Sequence, residues 1–403
     1  MDFTKPKMDR RNFLKKGMCG FAGVAASSSF LKGEPDFRKK EEKRKFIYRT
    51  LGKTGIKLPI VSMGVMNAEN PNLVAAALDE GIVLLDTAWY YQRGRNEEMI
   101  GQVIKGRSRD SYVLATKIWE PRDDKTGLFP KEATAETFVK KFETSLKRLQ
   151  LDHVDILYLH NIARKESLLF EPYLNSLLKF KKEGKTRFIG VSTHQNEPTI
   201  IKAAADSKVY DVVQTAYNFR QKHHQEIEEA LEYATGVGMG VVGMKAIAAS
   251  VKKYGIKVPG IAKTALKWAL QNKNIHTNIP GFTAFDQLRT DLSVMEDLAL
   301  TPQEKKDIEL TKTYAGLYCQ LCAGCLPQCP HGLYVPALMR SYMYAYGYKN
   351  LQAAKEATDS VDLSNVPCHD CESCAVKCAM GFDIKTRAID IARIKDVKEE
   401  FLA

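Results

Sequence analysis

From Phe46 onward the chain alternates two kinds of segment. Short apolar or β-branched runs occupy Leu58–Gly64, Ile82–Asp86, Tyr112–Lys117, Val154–His160, Arg187–Ser192, Asp211–Ala216, Gly240–Lys245 and Ile275–Pro280. Between them, apolar residues recur at helical spacing in Asn72–Glu80, Asn96–Lys105, Ala135–Leu149, Phe170–Lys182, Glu197–Asp206, His224–Ala234, Gly260–Gln271 and Ala284–Leu298. The first kind predicts strands and the second helices. Gly81, Gly184, Gly238 and Pro259 punctuate the junctions. Near-continuous apolar strands suit a parallel sheet covered by helices. Eight such units over about 250 residues is the count of a (β/α)8 barrel. A doubly wound open sheet would usually carry a glycine-rich phosphate loop in its first turn, and Gly64-Val65-Met66-Asn67 is not one. Phe46–Leu58, bent at Gly52 and Gly55, predicts a hairpin closing the barrel's bottom.

Composition adds bounds. The 403 residues are 44% hydrophobic and 27% charged, which excludes a mainly disordered or collagen-like chain. No stretch approaches the roughly 18 uninterrupted apolar residues of a membrane span. The net charge of +12 is unevenly spread: residues 1–45 hold thirteen Lys/Arg against six Asp/Glu, so the body is only mildly basic. Nucleic-acid binding is therefore not expected. Eight of the nine cysteines lie between Cys319 and Cys378, unlike a disulfide framework spread through a small secreted fold.

A barrel does its chemistry at the C-terminal ends of its strands. Asp86 ends the second predicted strand, Lys117 the third and His160 the fourth, with Tyr91 five residues beyond Asp86. Singly, each has an ordinary structural role: a helix cap, a rim lysine, a core histidine, a packing aromatic. Together they mark a site. The runs Gly81-Ile82-Val83-Leu84-Leu85-Asp86-Thr87-Ala88-Trp89-Tyr90-Tyr91, Ala115-Thr116-Lys117 and Asp155-Ile156-Leu157-Tyr158-Leu159-His160 resemble the aldo-keto reductases. So do Tyr48-Arg49-Thr50-Leu51-Gly52-Lys53-Thr54-Gly55 and Arg187-Phe188-Ile189-Gly190-Val191-Ser192, and the resemblance covers roughly residues 46–300.

That resemblance implies an oxidoreductase interconverting a carbonyl and an alcohol by hydride transfer with NADP or NAD. Tyr91 would be the general acid, with Tyr90 its rival. Lys117 would lower the phenol's pKa from about 10, Asp86 would hold Lys117, and neutral His160 would orient the carbonyl. Ser192 and Gln214 stand where relatives hold the nicotinamide carboxamide, and Thr193 where many have Asn. Met244 cannot supply the aromatic face that many relatives stack on the ring. Gly281 and Gln287 stand where NADPH-specific relatives carry Lys and Arg, so strong NADPH selectivity is not expected unless Lys245 or Arg289 supplies the missing charge. The substrate would be a small carbonyl compound or alcohol.

The tail carries Cys319-x2-Cys322-x2-Cys325-x3-Cys329-Pro330, the bacterial ferredoxin spacing with its proline. Cys368-x2-Cys371-x2-Cys374-x3-Cys378 repeats it, with Ala379 in the proline's place. The double pattern predicts two [4Fe–4S] clusters that exchange their fourth ligand. One would be held by Cys319, Cys322, Cys325 and Cys378, the other by Cys368, Cys371, Cys374 and Cys329. Zinc sites instead pair ligands across longer loops. The segment between the motifs is helical in pattern and crowded with Tyr342, Tyr344, Tyr346 and Tyr348, which are expected to pack against the clusters or the barrel. It resembles the α-helical type of two-cluster ferredoxin.

Asp9-Arg10-Arg11-Asn12-Phe13-Leu14-Lys15, with the moderately apolar stretch behind it, resembles a twin-arginine export signal, so a periplasmic or otherwise exported location is expected. The expected division is signal 1–31, charged linker 32–45, barrel 46–300 and two-cluster domain 301–403. The clusters would relay single electrons to an unidentified redox partner. The alternative is an ordinary carbonyl reductase whose tail is a structural or docking module.

Overall fold

The computed structural model describes residues 45–123, 126–249, 258, 260–312 and 316–402, and Lys45–Ala403 forms one compact unit. The expected export signal lies outside the described residues. Two short strands, β1 (Tyr48–Thr50) and β2 (Lys57–Pro59), pair antiparallel as the predicted hairpin. Eight parallel strands follow: β3 (Met63–Gly64), β4 (Leu84–Asp86), β5 (Val113–Ile118), β6 (Val154–Leu159), β7 (Thr186–Thr193), β8 (Val212–Ala216), β9 (Gly240–Met244) and β10 (Thr277–Asn278). Each pairs with the next in sequence order. The last returns to the first: Ser62 N–H donates to Asn278 O at 2.8 Å, Asn278 N–H to Ile60 O at 2.9 Å, and Gly64 N–H to Pro280 O at 3.0 Å. The sheet is thus a closed barrel.

Eight helices cover it: α1 (Pro71–Asp79), α2 (Arg95–Ile104), α3 (Ala135–Leu149), α4 (Glu171–Lys182), α5 (Glu197–Ser207), α6 (His224–Gly236), α7 (Ile261–Gln271) and α8 (Phe285–Val294). Every residue of β5, β6 and β8 is buried, which is why their sequences read as mainly apolar runs, broken by Thr116, Lys117, Asp155, Gln214 and Thr215. One set of side chains, including Leu58, Leu84, Ala115, Ile156, Tyr158, Val212 and Val242, fills the barrel interior. A larger set packs the strands' outer faces against the helices.

The hairpin plugs the N-terminal end of the strands. Gly52 adopts φ +52°, and a Cβ there would lie 2.4 Å from the Gly240 backbone nitrogen at the start of β9. No other residue fits that approach.

Beyond the barrel come α9 (Pro302–Lys312), α10 (Val335–Tyr342), α11 (Leu351–Glu356) and α12 (Ile384–Ala392). The segment between the cysteine motifs, read as helical in pattern, forms two helices. α10 continues as a π-helical turn over Met343–Tyr348 and stops at Lys349, whose φ of +54° ends it, before α11 begins. Leu333, Val335, Leu338, Phe382, Ile384, Ala388 and Ile391 make a separate core for this region. It sits on the C-terminal end of the barrel. Asn350 Nδ2 donates to Asn67 Oδ1 at 2.8 Å in the loop after β3, and Arg220, after β8, donates to Thr311 O at 2.6 Å. No described helix is long and apolar enough to cross a membrane.

Candidate active site

The strand ends converge as the sequence suggests. Asp86 closes β4 and Lys117 lies in β5, in adjacent parallel strands, so their side chains point into the same end of the barrel. They are 3% and 1% exposed, and Lys117 Nζ donates to Asp86 Oδ1 and, at 2.7 Å, to Thr87 O. Burial pushes the Asp86 carboxyl up and the Lys117 ammonium down; the partner's charge opposes each shift. A pair so placed holds its geometry firmly, because removing either member strands the other in a dry site.

Tyr91 opens a short 3-10 turn after β4, and the Lys117 ammonium lies 5.2 Å from its ring centre. Its ring is 6.2 Å from the buried His160 imidazole, edge to face. Tyr90 stacks on His160 at 5.4 Å. Burial, then Tyr90 and the Asp86 charge, pushes the Tyr91 phenol well above its ordinary value. The lowering expected from Lys117 therefore does not prevail, because Lys117 is engaged with Asp86 and the phenol is densely surrounded. Burial, then Lys117, Arg122, Lys245 and Arg340, holds His160 well below the usual imidazole value, so it is neutral at neutral pH.

The expected cofactor residues divide into two groups. Ser192 and Gln214 are buried in neighbouring strands, in register with one another. Gln214 Nε2 donates to Asp86 Oδ2 at 2.8 Å, tying it to the ion pair, while its Oε1 is buried without a partner. The Ser192 hydroxyl accepts from Asn161 N–H at 2.9 Å. Lys245 follows β9 with φ +61° and is pushed down by burial. Thr193 spends its hydroxyl on Gln195 O at 2.9 Å, within its own loop. Gly281 and Gln287 are exposed on the rim, apart from the tetrad, and Gln287 Oε1 accepts from Thr283 N–H at 2.8 Å. Asn278 at the end of β10 went unnoticed in the sequence. Both its amide atoms are buried without a partner, and a polar residue inside the eighth predicted run was the available signal.

A barrel with this tetrad and strand order can be compared with known proteins. The sequence model of the aldo/keto reductase family matches residues 58–257. The barrel is similar to that family over those residues. An L-galactose dehydrogenase from Arabidopsis thaliana is 27% identical over 289 residues, covering 62% of this chain and 88% of the relative. A glyoxal reductase from Bacillus subtilis is 33% identical over 147 residues, 35% of this chain and 48% of its own length. An aldo-keto reductase from Bacillus halodurans shares the fold with a TM-score of 0.54 at 22% identity, covering 69% of this chain and 99% of that one. One from Klebsiella pneumoniae, solved with NADPH, does so with a TM-score of 0.52 at 20% identity, over 66% and 96%. The chain is thus an oxidoreductase acting on a small molecule.

The eight tail cysteines are free. Cys319, Cys322, Cys325 and Cys378 line one small cavity, and Cys329, Cys368, Cys371 and Cys374 another. Among the described residues, no group of three or more His, Cys, Asp or Glu is placed to hold a metal ion. Burial and neighbouring thiols push Cys319 up to about 11 and Cys368 up to about 11. Beside the first cavity the Arg387 guanidinium, 2% exposed, feels the Cys378 and Cys319 charges and has Nε and Nη1 without partners.

Proposed function

We propose that this chain interconverts a carbonyl and an alcohol with a bound nicotinamide dinucleotide, and that its tail holds two [4Fe–4S] clusters that carry single electrons to or from a partner. The convergence of Asp86, Lys117, Tyr91 and His160 at one barrel end carries the first part. The unpartnered Gln214 Oε1 and Asn278 amide, buried at strand ends, suit a carboxamide-bearing ring. The nicotinamide supplies the hydride, which no side chain can. Tyr91, protonated at neutral pH, gives its phenolic proton to the carbonyl oxygen. Lys117, held by Asp86 and Thr87 O, faces the ring that then bears negative charge. Neutral His160 donates a hydrogen bond that orients the carbonyl, a role an imidazolium would disturb.

For the tail, the support is the sorting of cysteines into the two predicted ligand sets, three from one motif and one from the other. Four crowded thiols ionise reluctantly unless positive charge joins them, and the unpaired Arg387 N–H groups suit an anionic sulfide-bearing group. Such clusters move one electron at a time. Anaerobically purified protein should contain about eight irons and show cluster reduction on adding an oxidisable alcohol. Iron that never changes redox state with substrate would favour a purely structural tail. Export through the twin-arginine route belongs to the same reading, since that route carries folded, loaded proteins. Replacing Arg10 and Arg11 by Lys and fractionating cells tests it, and unchanged location refutes it.

A further inference from the structure

Tyr91 stands at the head of a strained turn. The two residues after it, Gln92 and Arg93, hold φ of +51° and +56°, and Gly94 holds +95°. Residues with a Cβ enter this left-handed region at a cost, and two in succession persist only where their surroundings impose it. The barrel supplies one hold. Arg148, on α3, donates to Trp89 O at 2.8 Å and packs so closely on Gly94 that a Cβ there would lie 2.2 Å from its Cζ.

The tail region supplies two more. Gln92 Nε2 donates to Met66 O at 3.0 Å, in the loop after β3. In that loop Asn67 Nδ2 donates to Tyr348 O at 3.4 Å, and Asn67 Oδ1 accepts from Asn350 Nδ2 at 2.8 Å. Tyr348 ends the π-helical turn, and Asn350 caps α11 by accepting from Ala353 N–H at 2.8 Å. The other hold runs through Arg93 itself, which pairs with Glu399 at 2.9 Å. Lys355, on α11, donates to Val397 O at 3.0 Å and to Glu399 Oε1 at 3.4 Å, so it anchors the segment that carries the acid. Both holds end on α11. An exposed ion pair is weak alone. Here it is one of several bonds that bear on the same two strained residues.

We propose that Asn350 and Glu399 are positioning residues for the reaction: through α11, the tail region keeps the turn that carries Tyr91 in the arrangement that delivers its proton. The proposal rests on Tyr91 as the general acid. It goes beyond that reading by giving the tail a part in the barrel's own chemistry, whatever its cysteines hold. Neither residue is asked to touch the substrate, so their loss should slow turnover and leave binding alone.

The test uses the purified full-length chain, 4-nitrobenzaldehyde, and whichever of NADPH and NADH it oxidises faster. Asn350→Asp keeps the oxygen that caps α11 and removes the donor to Asn67. Glu399→Gln removes the charge shared by Arg93 and Lys355. The first should lower kcat by about 3- to 10-fold, the second by about 2- to 5-fold, and the double variant by about tenfold or more. KM and the dinucleotide dissociation constant should stay within about twofold of wild type. The deciding comparison repeats both changes in a Tyr91→Phe chain. With the acid gone its placement no longer matters, and the residual rate should move by less than about twofold. Equal losses in the two backgrounds show a general structural role and overturn the proposal. So do tail variants that keep the wild-type kcat while Tyr91→Phe has lost most of its turnover. A Tyr91→Phe enzyme with near-wild-type turnover refutes the acid assignment itself, and the proposal falls with it.

Discussion

Replacing Tyr91 by Phe removes one oxygen and almost no volume. The ring keeps its contact with His160 at 6.2 Å and its place 5.2 Å from Lys117 Nζ, so the buried ion pair beneath it is undisturbed. What is lost is the proton donor. Donation by a positioned side chain is worth on the order of 10²–10⁴ in rate, or about 2.7–5.4 kcal/mol of barrier. The variant should therefore lose 10²–10⁴ in kcat, bind dinucleotide as before and melt near the wild-type temperature. The assay is single-turnover oxidation of reduced dinucleotide by a carbonyl substrate, with dinucleotide binding measured separately. Tyr90→Phe is the internal control. Its ring stacks on His160, away from the Lys117 contact, and its loss should cost less than about tenfold. A Tyr91→Phe enzyme within tenfold of wild type, or a Tyr90→Phe enzyme that is the more damaged, refutes the assignment.

Other outcomes follow from the same geometry. His160 and His194 are buried and held well below the ordinary imidazole value, so the unfolded chain takes up protons at these positions before the folded one does. Stability should be full above about pH 6.5 and fall as pH drops below it; His194→Gln should flatten that fall in pH-dependent melting curves, and an unchanged slope would contradict it. Lys117→Met leaves Asp86 buried and uncompensated and should destabilise by about 3–5 kcal/mol, with Asp86→Asn added to it costing clearly less than the sum of the single changes; strictly additive denaturation data would count against the coupling. Gly52→Ala forces a Cβ against the Gly240 nitrogen at positive φ and should cost at least about 1 kcal/mol, read as a lowered melting temperature. Cys325→Ser should halve the iron content, and Arg387→Met should lower the midpoint potential of the group beside Cys319 and Cys378; iron reduced to nothing, or a potential unmoved, would contradict the two-site arrangement.

The barrel was legible because its signal is local and repeated. A run such as Val154–Leu159, apolar but for Asp155, has few ways to be buried on both faces other than as a strand under helices. The tetrad was legible for the same reason: once the strand ends are placed, Asp86, Lys117 and His160 must share one end. The cysteine sets were readable from spacing alone, and the cavities group them as that spacing implies. Hydrogen-bond choices were not readable. Thr193 turning to Gln195, Gln287 to Thr283 and Gln214 to Asp86 are decided by a few tenths of an ångström among near-equal partners. Nor was the seat of α10 over the mouth. Docking between surfaces far apart in sequence leaves no periodic trace, so the tyrosines after Ser341 read only as packing residues.

One helix binds these levels together. Val335 lines the second cysteine cavity, Pro336 and Met339 line the first, and Arg340, the next residue, lies near enough to Tyr90 for its charge to act on that phenol. Eight residues thus join both cysteine cavities to the catalytic end of the barrel within one helix, so a change in how either cavity packs bears on the barrel through a single element.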